Sequence, residues 1–137
     1  MSGILPTEDC EIKFRELKMK NCYRYIVFKI DNGQIQVERF AGRDSNYDDF
    51  LHDTRKPEQA RFAVLDFECE GIKGSNLIFV SWVCNTAPIK TKMLYASSRQ
   101  ALRSRFQGIK LDLNAYDLGD LELPAVIDLV TEKHKSH

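Results

Sequence analysis

The chain has 137 residues, enough for one domain, and its 43% apolar and 10% aromatic content can build a proper core. Lys and Arg number 20 and Asp and Glu number 20; a zero balance argues against a non-specific nucleic-acid binder, which carries a basic excess, but leaves room for a local basic patch. No apolar run approaches the roughly 18 residues that suggest a membrane-spanning helix, so no transmembrane segment is expected.

The opening stretch MSGILPTEDCE is too short and too acidic to read as a secretion signal. Cysteines stand at 10, 22, 69 and 84, with no C-x-x-C pair, each in or beside an apolar segment. They read as reduced cytosolic thiols, mostly buried. His52, His134 and His137 do not pair with them at ligand spacing, so neither a metal nor a cofactor is expected. No repeat, low-complexity tract or linker interrupts the chain. It reads as a single domain over residues 1–137, with flexible ends at about 1–6 and 133–137.

Thr7 can cap a first helix running to about Lys18, with Glu8, Asp9 and Glu11 in its positive first turn and Cys10, Phe14 and Leu17 on its inner face. YRYIVFKI (Tyr23 to Ile30) is a strand by its β-branched and aromatic content. Asp31-Asn32-Gly33 then turns the chain into QIQVERF, the strongest short hairpin signal in the sequence. Ser45 and Asn46 open a short helix with Tyr47, Phe50 and Leu51 on one face. RFAVLDFE and NLIFVSWVC are strands, with the Gly71 to Gly74 segment turning between them. A long helix starts near Pro88, with Asn85 or Thr86 as its cap, and Gly108 stops it at a C′ position. IKLDLNA is a short strand. The last helix carries Leu123, Val126, Ile127 and Val130 on one face.

Two of the strands are apolar on both sides. In YRYIVFKI, Ile26, Phe28 and Ile30 face one way and Tyr25 and Val27 the other; NLIFVSWVC is similar. Such a sheet must be covered on both faces, and four helices are available. The fold class is therefore α/β, a central mixed β-sheet flanked on both faces by helices.

The long helix carries more than a core stripe. At about 100° per residue, Leu94, Ser98, Ala101, Leu102 and Phe106 group on one side, and Ile89, Met93 and Ala96 on roughly the opposite side. Lys92, Arg99 and Arg103 run beside that second side, and Lys90 flanks its start. A stray exposed methionine needs no function. Here, however, an apolar ridge and a cationic edge are coaxial in a chain of zero net charge. Such a surface suits docking into a hydrophobic cleft with an acidic rim.

The same residues carry a family likeness. WVCNTAPIKTKMLYASSRQALR (Trp82 to Arg103), with its specific run A-P-I-K-x-K-M-x-Y-A-S-S-R, resembles the long-helix region of the actin-depolymerising factor (ADF)/cofilin family. The opening Met-Ser-Gly-Ile and the rhythm of strands and caps to about Lys133 fit as well. The resemblance implies an ADF-homology fold and a monomeric, cytoplasmic, cytoskeletal protein. It would bind actin monomers and filaments, prefer ADP-bound subunits, and promote filament disassembly by severing or depolymerisation. By position, Lys90, Lys92, Met93, Arg99 and Arg103 match the residues that enter the cleft between actin subdomains. Ser2 and Gly3 match the N-terminal segment that docks beside the helix. Ser2 also matches a position phosphorylated in many members, where a phosphate's charge of about −1.5 to −2 would repel an acidic partner.

The chain departs from the family at its filament site. The basic pair expected on the strand before Trp82 is replaced by Gly74 and Asn76, with only Lys73 nearby. On the last helix Asp128 is followed by Leu129, and Glu132 stands near a second expected cation, which leaves Lys133 and Lys135 to compensate. The filament site thus reduces to Lys73, Asp128 and Lys133. Monomer binding should be normal and filament-side binding weak. The alternative is a mainly monomer-binding or sequestering protein, or a phosphoinositide-regulated one, with little filament activity.

Two other classes compete. Catalysis needs a nucleophile, a base and an orienting group in one pocket. Ser97 and Ser98 are helical, Asp66 and Glu68 read as structural ion-pair partners, and no phosphate-binding glycine motif occurs, so the chain is not expected to be an enzyme. Phosphoinositide headgroups could use the cationic edge, each cation contributing about 1 kcal/mol, as a second class of partner.

Overall fold

In chain order the structure, a computed structural model that describes residues 3–135, runs β1 (Leu5–Pro6), α1 (Glu8–Lys20), β2 (Tyr23–Asp31), β3 (Gln34–Gly42), α2 (Tyr47–Thr54), β4 (Ala60–Cys69), β5 (Ile72–Val83), α3 (Ile89–Arg103), β6 (Leu111–Ala115), a 3-10 turn (Leu118–Leu121) and α4 (Leu123–Lys135). The six strands form one sheet in the order β1-β3-β2-β4-β5-β6. The four inner strands are antiparallel and the two edge strands parallel to their neighbours, so the sheet is mixed.

Alternation along the strands sends side chains into two cores. Ile26, Phe28, Phe62, Val64, Leu77 and Phe79 meet α1 (Cys10, Phe14, Leu17) and α3 (Tyr95, Leu102) on one face. Tyr25, Val27, Leu65, Phe67, Val80 and Trp82 meet Phe50 of α2 and Val126 and Val130 of α4 on the other. Both faces are covered, as the doubly apolar strands require.

The β2–β3 hairpin closes on Asn32 (φ 51°) and Gly33 (φ 73°), the left-handed pair that matches strand twist. Asn46 caps α2 through a reciprocal box with Asp49. Asp66 and Glu68 are structural partners, receiving Arg43 at 2.8 and 2.7 Å.

Several local expectations need correction. Thr7 is the N-cap of α1 but makes no side-chain cap bond, because its hydroxyl lies against the Cys10 thiol at 3.5 Å. The turn after β4 is tighter than expected: β5 begins at Ile72, and Gly74 lies inside it. The cap of α3 is Pro88 rather than Asn85 or Thr86. Asn85 is committed elsewhere, its side chain bonded to Asp117 and its backbone N–H donating to Tyr116 O. At the other end α3 stops at Ser104, before Gly108, because a tight turn (Arg105 N–H to Leu102 O, Phe106 N–H to Arg103 O) drops Phe106 into the core. The four thiols are free, but only Cys10 is buried; Cys22 follows α1, Cys69 ends β4 and Cys84 follows β5. Finally, the first residues include β1, which pairs with Gln34 and Ile35 of β3 and is anchored by Thr7 N–H to Ile35 O at 2.9 Å.

Candidate interaction face on the long helix

The buried stripe of α3 is set by Tyr95, Ser98 and Leu102. Tyr95 was missing from the expected core set, although its i, i+3, i+7 spacing with Ser98 and Leu102 marks the centre of that face. Its ring packs on Phe62, and its hydroxyl accepts the Ile30 N–H at 2.9 Å, so α3 cannot roll on the sheet without breaking that bond. Leu94 and Ala101 are half-buried at one flank.

With that stripe held down, the opposite side faces water. Ile89 is 72% and Met93 66% exposed, and Ala96 is exposed beside them. The apolar ridge is therefore an open surface. Two further apolar groups adjoin α3 that the helical pattern alone could not reveal. β1 packs against α3, and its Leu5 is exposed, as is Gly3 two residues before it. Asn85 ties the entrance of α3 to the turn after β6, where Tyr116 and Leu118 are exposed. Ser2 lies outside the described residues.

The cations divide into two kinds. Lys90 and Lys92 stand in the first turn of α3, which holds no acidic residue. The amino end of a helix carries a partial positive charge, so lysines there cost a few tenths of a kcal/mol each where an Asp or Glu would stabilise. Among the described residues neither has an ion-pair partner. A local arrangement that opposes stability and concentrates positive potential is a sign of binding.

Arg99 and Arg103 are engaged at home. On the helical wheel they fall between Tyr95 of the buried stripe and Ala96 of the ridge, Arg99 nearer the stripe and Arg103 nearer the ridge. Each is about three-quarters covered and turned onto β6, where Asp112 receives Arg103 Nε at 2.6 Å and Arg99 Nη2 at 3.5 Å. The cationic edge is therefore strongest at the amino end of α3 and partly neutralised further along.

The residues expected at a second, filament-facing site lie apart from α3, around β5 and α4. Lys133 lines a groove of about 470 Å³ with Lys110, Val130, His134 and Asn76. Asp128 is exposed on α4, and Lys73 is exposed at the start of β5, close in sequence to the acidic Glu68 and Glu70. Asn76 is nearly buried and donates to Phe67 O at 3.3 Å, while Gly74 holds φ 83°. The two positions that lack the expected cations are thus built for turn geometry and packing.

Fold and surface together define a class: an α/β sandwich module whose longest helix turns an exposed apolar ridge outward, with lysines in its first turn. The family model for cofilin/tropomyosin-type actin-binding proteins matches residues 3–131. The chain is 38% identical to cofilin of Schizosaccharomyces pombe, covering 96% of this chain and 98% of that one. It is 36% identical to actin-depolymerizing factor 12 of Arabidopsis thaliana, covering 91% and 93%. Its fold superposes on the crystal structure of Streptomyces griseoflavus cofilin with a TM-score of 0.88 at 32% identity, covering 95% and 98%. The chain belongs to the ADF/cofilin family, whose members bind actin and promote its depolymerisation.

Proposed function

We propose that this chain binds actin monomers through the outward face of α3 and promotes filament disassembly, with weak contact on the filament side. It acts in the cytoplasm as a monomeric, non-enzymatic protein, and works by binding one subunit state better than another, which shifts that equilibrium. The observation that supports this most is the first turn of α3, where Lys90 and Lys92 stand at the positive helix end beside the exposed Ile89 and Met93. Ile89, Met93, Leu5 and Gly3 supply the contact, the lysines steer an acidic rim, and Arg99 and Arg103 contribute once turned outward. A phosphate on Ser2 would oppose docking.

The filament side supports a second emphasis. A nearly buried Asn76, a left-handed Gly74 and a Lys73 close in sequence to acids leave Lys133, with Lys110 nearby, to carry that contact. Monomer binding without lasting filament decoration follows. A monomer titration run alongside filament co-sedimentation tests both parts. Tight monomer binding with little protein in the pellet is expected. Saturating co-sedimentation would remove the weak-filament reading, and no monomer affinity would remove the whole proposal. Phosphoinositide vesicles form a third arm: headgroup binding by the lysines collapses at high salt, whereas a contact anchored by Ile89 and Met93 partly survives.

A further inference from the structure

The carboxylate of Asp112 holds a position in the structure that the docking reading leaves unexplained. Alternation along β6 sends Leu113 and Ala115 into one core and leaves Asp112 and Asn114 on the α3 side of the sheet. There Asp112 meets Arg103 twice, Nε at 2.6 Å and Nη2 at 3.4 Å, while Arg103 Nη1 donates to Phe106 O at 2.9 Å. Every guanidinium nitrogen of Arg103 is engaged within the protein. Arg99 gives Nε to Asn114 Oδ1 at 3.2 Å and Nη2 to Asp112 at 3.5 Å, with its guanidinium over the Phe79 ring at 5.1 Å. One carboxylate thus serves two arginines on the flank of the helix that carries the docking ridge.

We infer that Asp112 is a positioning residue that occupies Arg99 and Arg103 in the free protein and must yield them to carboxylates of the bound partner, so that it sets the affinity and salt dependence of the α3 face. This rests on the actin-monomer reading above. Lys90 and Lys92 meet an acidic rim first. The two arginines join only by exchanging Asp112 for a carboxylate of the partner. Such an exchange keeps each guanidinium hydrogen-bonded but leaves Asp112 facing an acidic surface without its own partners. In the free protein the same carboxylate cancels part of the positive field that speeds encounter.

The test uses the full chain with Asp112→Asn, which preserves shape at an exposed strand position and removes only the charge. Binding to fluorescently labelled actin monomers is followed by stopped flow at low and high salt. Affinity is expected to rise by about 3- to 10-fold, mainly through faster association, with a steeper salt dependence than wild type. The gain should vanish when Arg99→Gln and Arg103→Gln are already present, which a merely structural role for Asp112 would not require. Unchanged or weakened binding by Asp112→Asn, with wild-type thermal unfolding, overturns the inference.

A measurement without actin stands beside it. The Arg103 Nε–H should exchange slowly in the free wild type and faster in Asp112→Asn; rapid exchange in both overturns the engaged state itself. If the wild type fails to bind actin monomers at all, the docking reading and this inference fall together. Wild-type binding that Asp112→Asn leaves untouched removes this inference alone.

Discussion

The hydroxyl of Tyr95, in the middle of α3, accepts the backbone N–H of Ile30 at 2.9 Å, and this bond joins the docking helix to the end of β2. The β2–β4 ladder ends at Phe28, so the Ile30 amide lies beyond it, and a side chain from the helix takes it. Replacing Tyr95 with Phe keeps the ring against Phe62 and leaves that amide without its partner. Stability should fall by about 1 kcal/mol in thermal or denaturant unfolding. A variant as stable as wild type would mean that the bond contributes nothing to holding α3 in place.

The ridge itself makes no intramolecular contribution that burial would register. Ile89→Asp with Met93→Asp should therefore unfold within about 0.5 kcal/mol of wild type, since both side chains are already in water. Monomer affinity should drop roughly 10- to 100-fold, because the apolar anchor is gone and two negative charges face an acidic rim. This pair is a cleaner probe than charge reversal at Arg99 and Arg103, which would also set two new carboxylates against Asp112.

Restoring a basic pair on β5 is harder than the sequence suggests. Gly74 has room for a side chain but holds φ 83°, so Gly74→Lys should cost about 1–2 kcal/mol from backbone strain. Asn76→Lys loses the bond to Phe67 O and should cost about 1–3 kcal/mol, with the new ammonium reaching into the adjoining groove. Co-sedimentation with filaments should improve only for variants that melting curves show to be folded. Improved binding with no stability loss would contradict this account of both positions.

Alkaline pH should unfold the protein early. Burial pushes the phenols of Tyr25 and Tyr47 well above the ordinary tyrosine range and raises that of Tyr95; at Tyr25 the adjacent Asp53 carboxylate adds to it. The native state keeps its phenolic protons where the unfolded chain loses them. The stabilising difference is complete below about pH 10 and is lost progressively as pH rises from there toward the raised native values, by up to roughly 1.4 kcal/mol per pH unit for each such tyrosine. Phenolate absorbance from the buried groups should rise together with unfolding. A single smooth titration with secondary structure intact would refute the coupling.

Local patterns survived into the structure where a segment's own chemistry decides its shape. Asn32-Gly33 makes its turn because left-handed backbone is cheapest there. Tyr25/Val27 and Ile26/Phe28 divide between two cores because strand side chains alternate. The cap of α3 departs from its local pattern for the opposite reason. Asn85 has the right side chain for a cap, but Asp117, 32 residues away, claims it. β1 escaped notice because two residues carry no periodicity, and their strand exists only because β3 lies beside them.

From sequence alone one can obtain the sheet covered on two sides, the family and the existence of a ridge on α3, since each depends on residue type and short-range spacing. What only the tertiary structure decided is which cations on that helix are free. On a helical wheel Lys92, Arg99 and Arg103 share one edge and Lys90 flanks the ridge from the other side, so the wheel cannot separate the lysines from the arginines. The approach of β6 alone places Asp112 against the two arginines and, among the described residues, leaves the two lysines without an ion-pair partner, because electrostatic pairing follows distance in space and not distance along the chain.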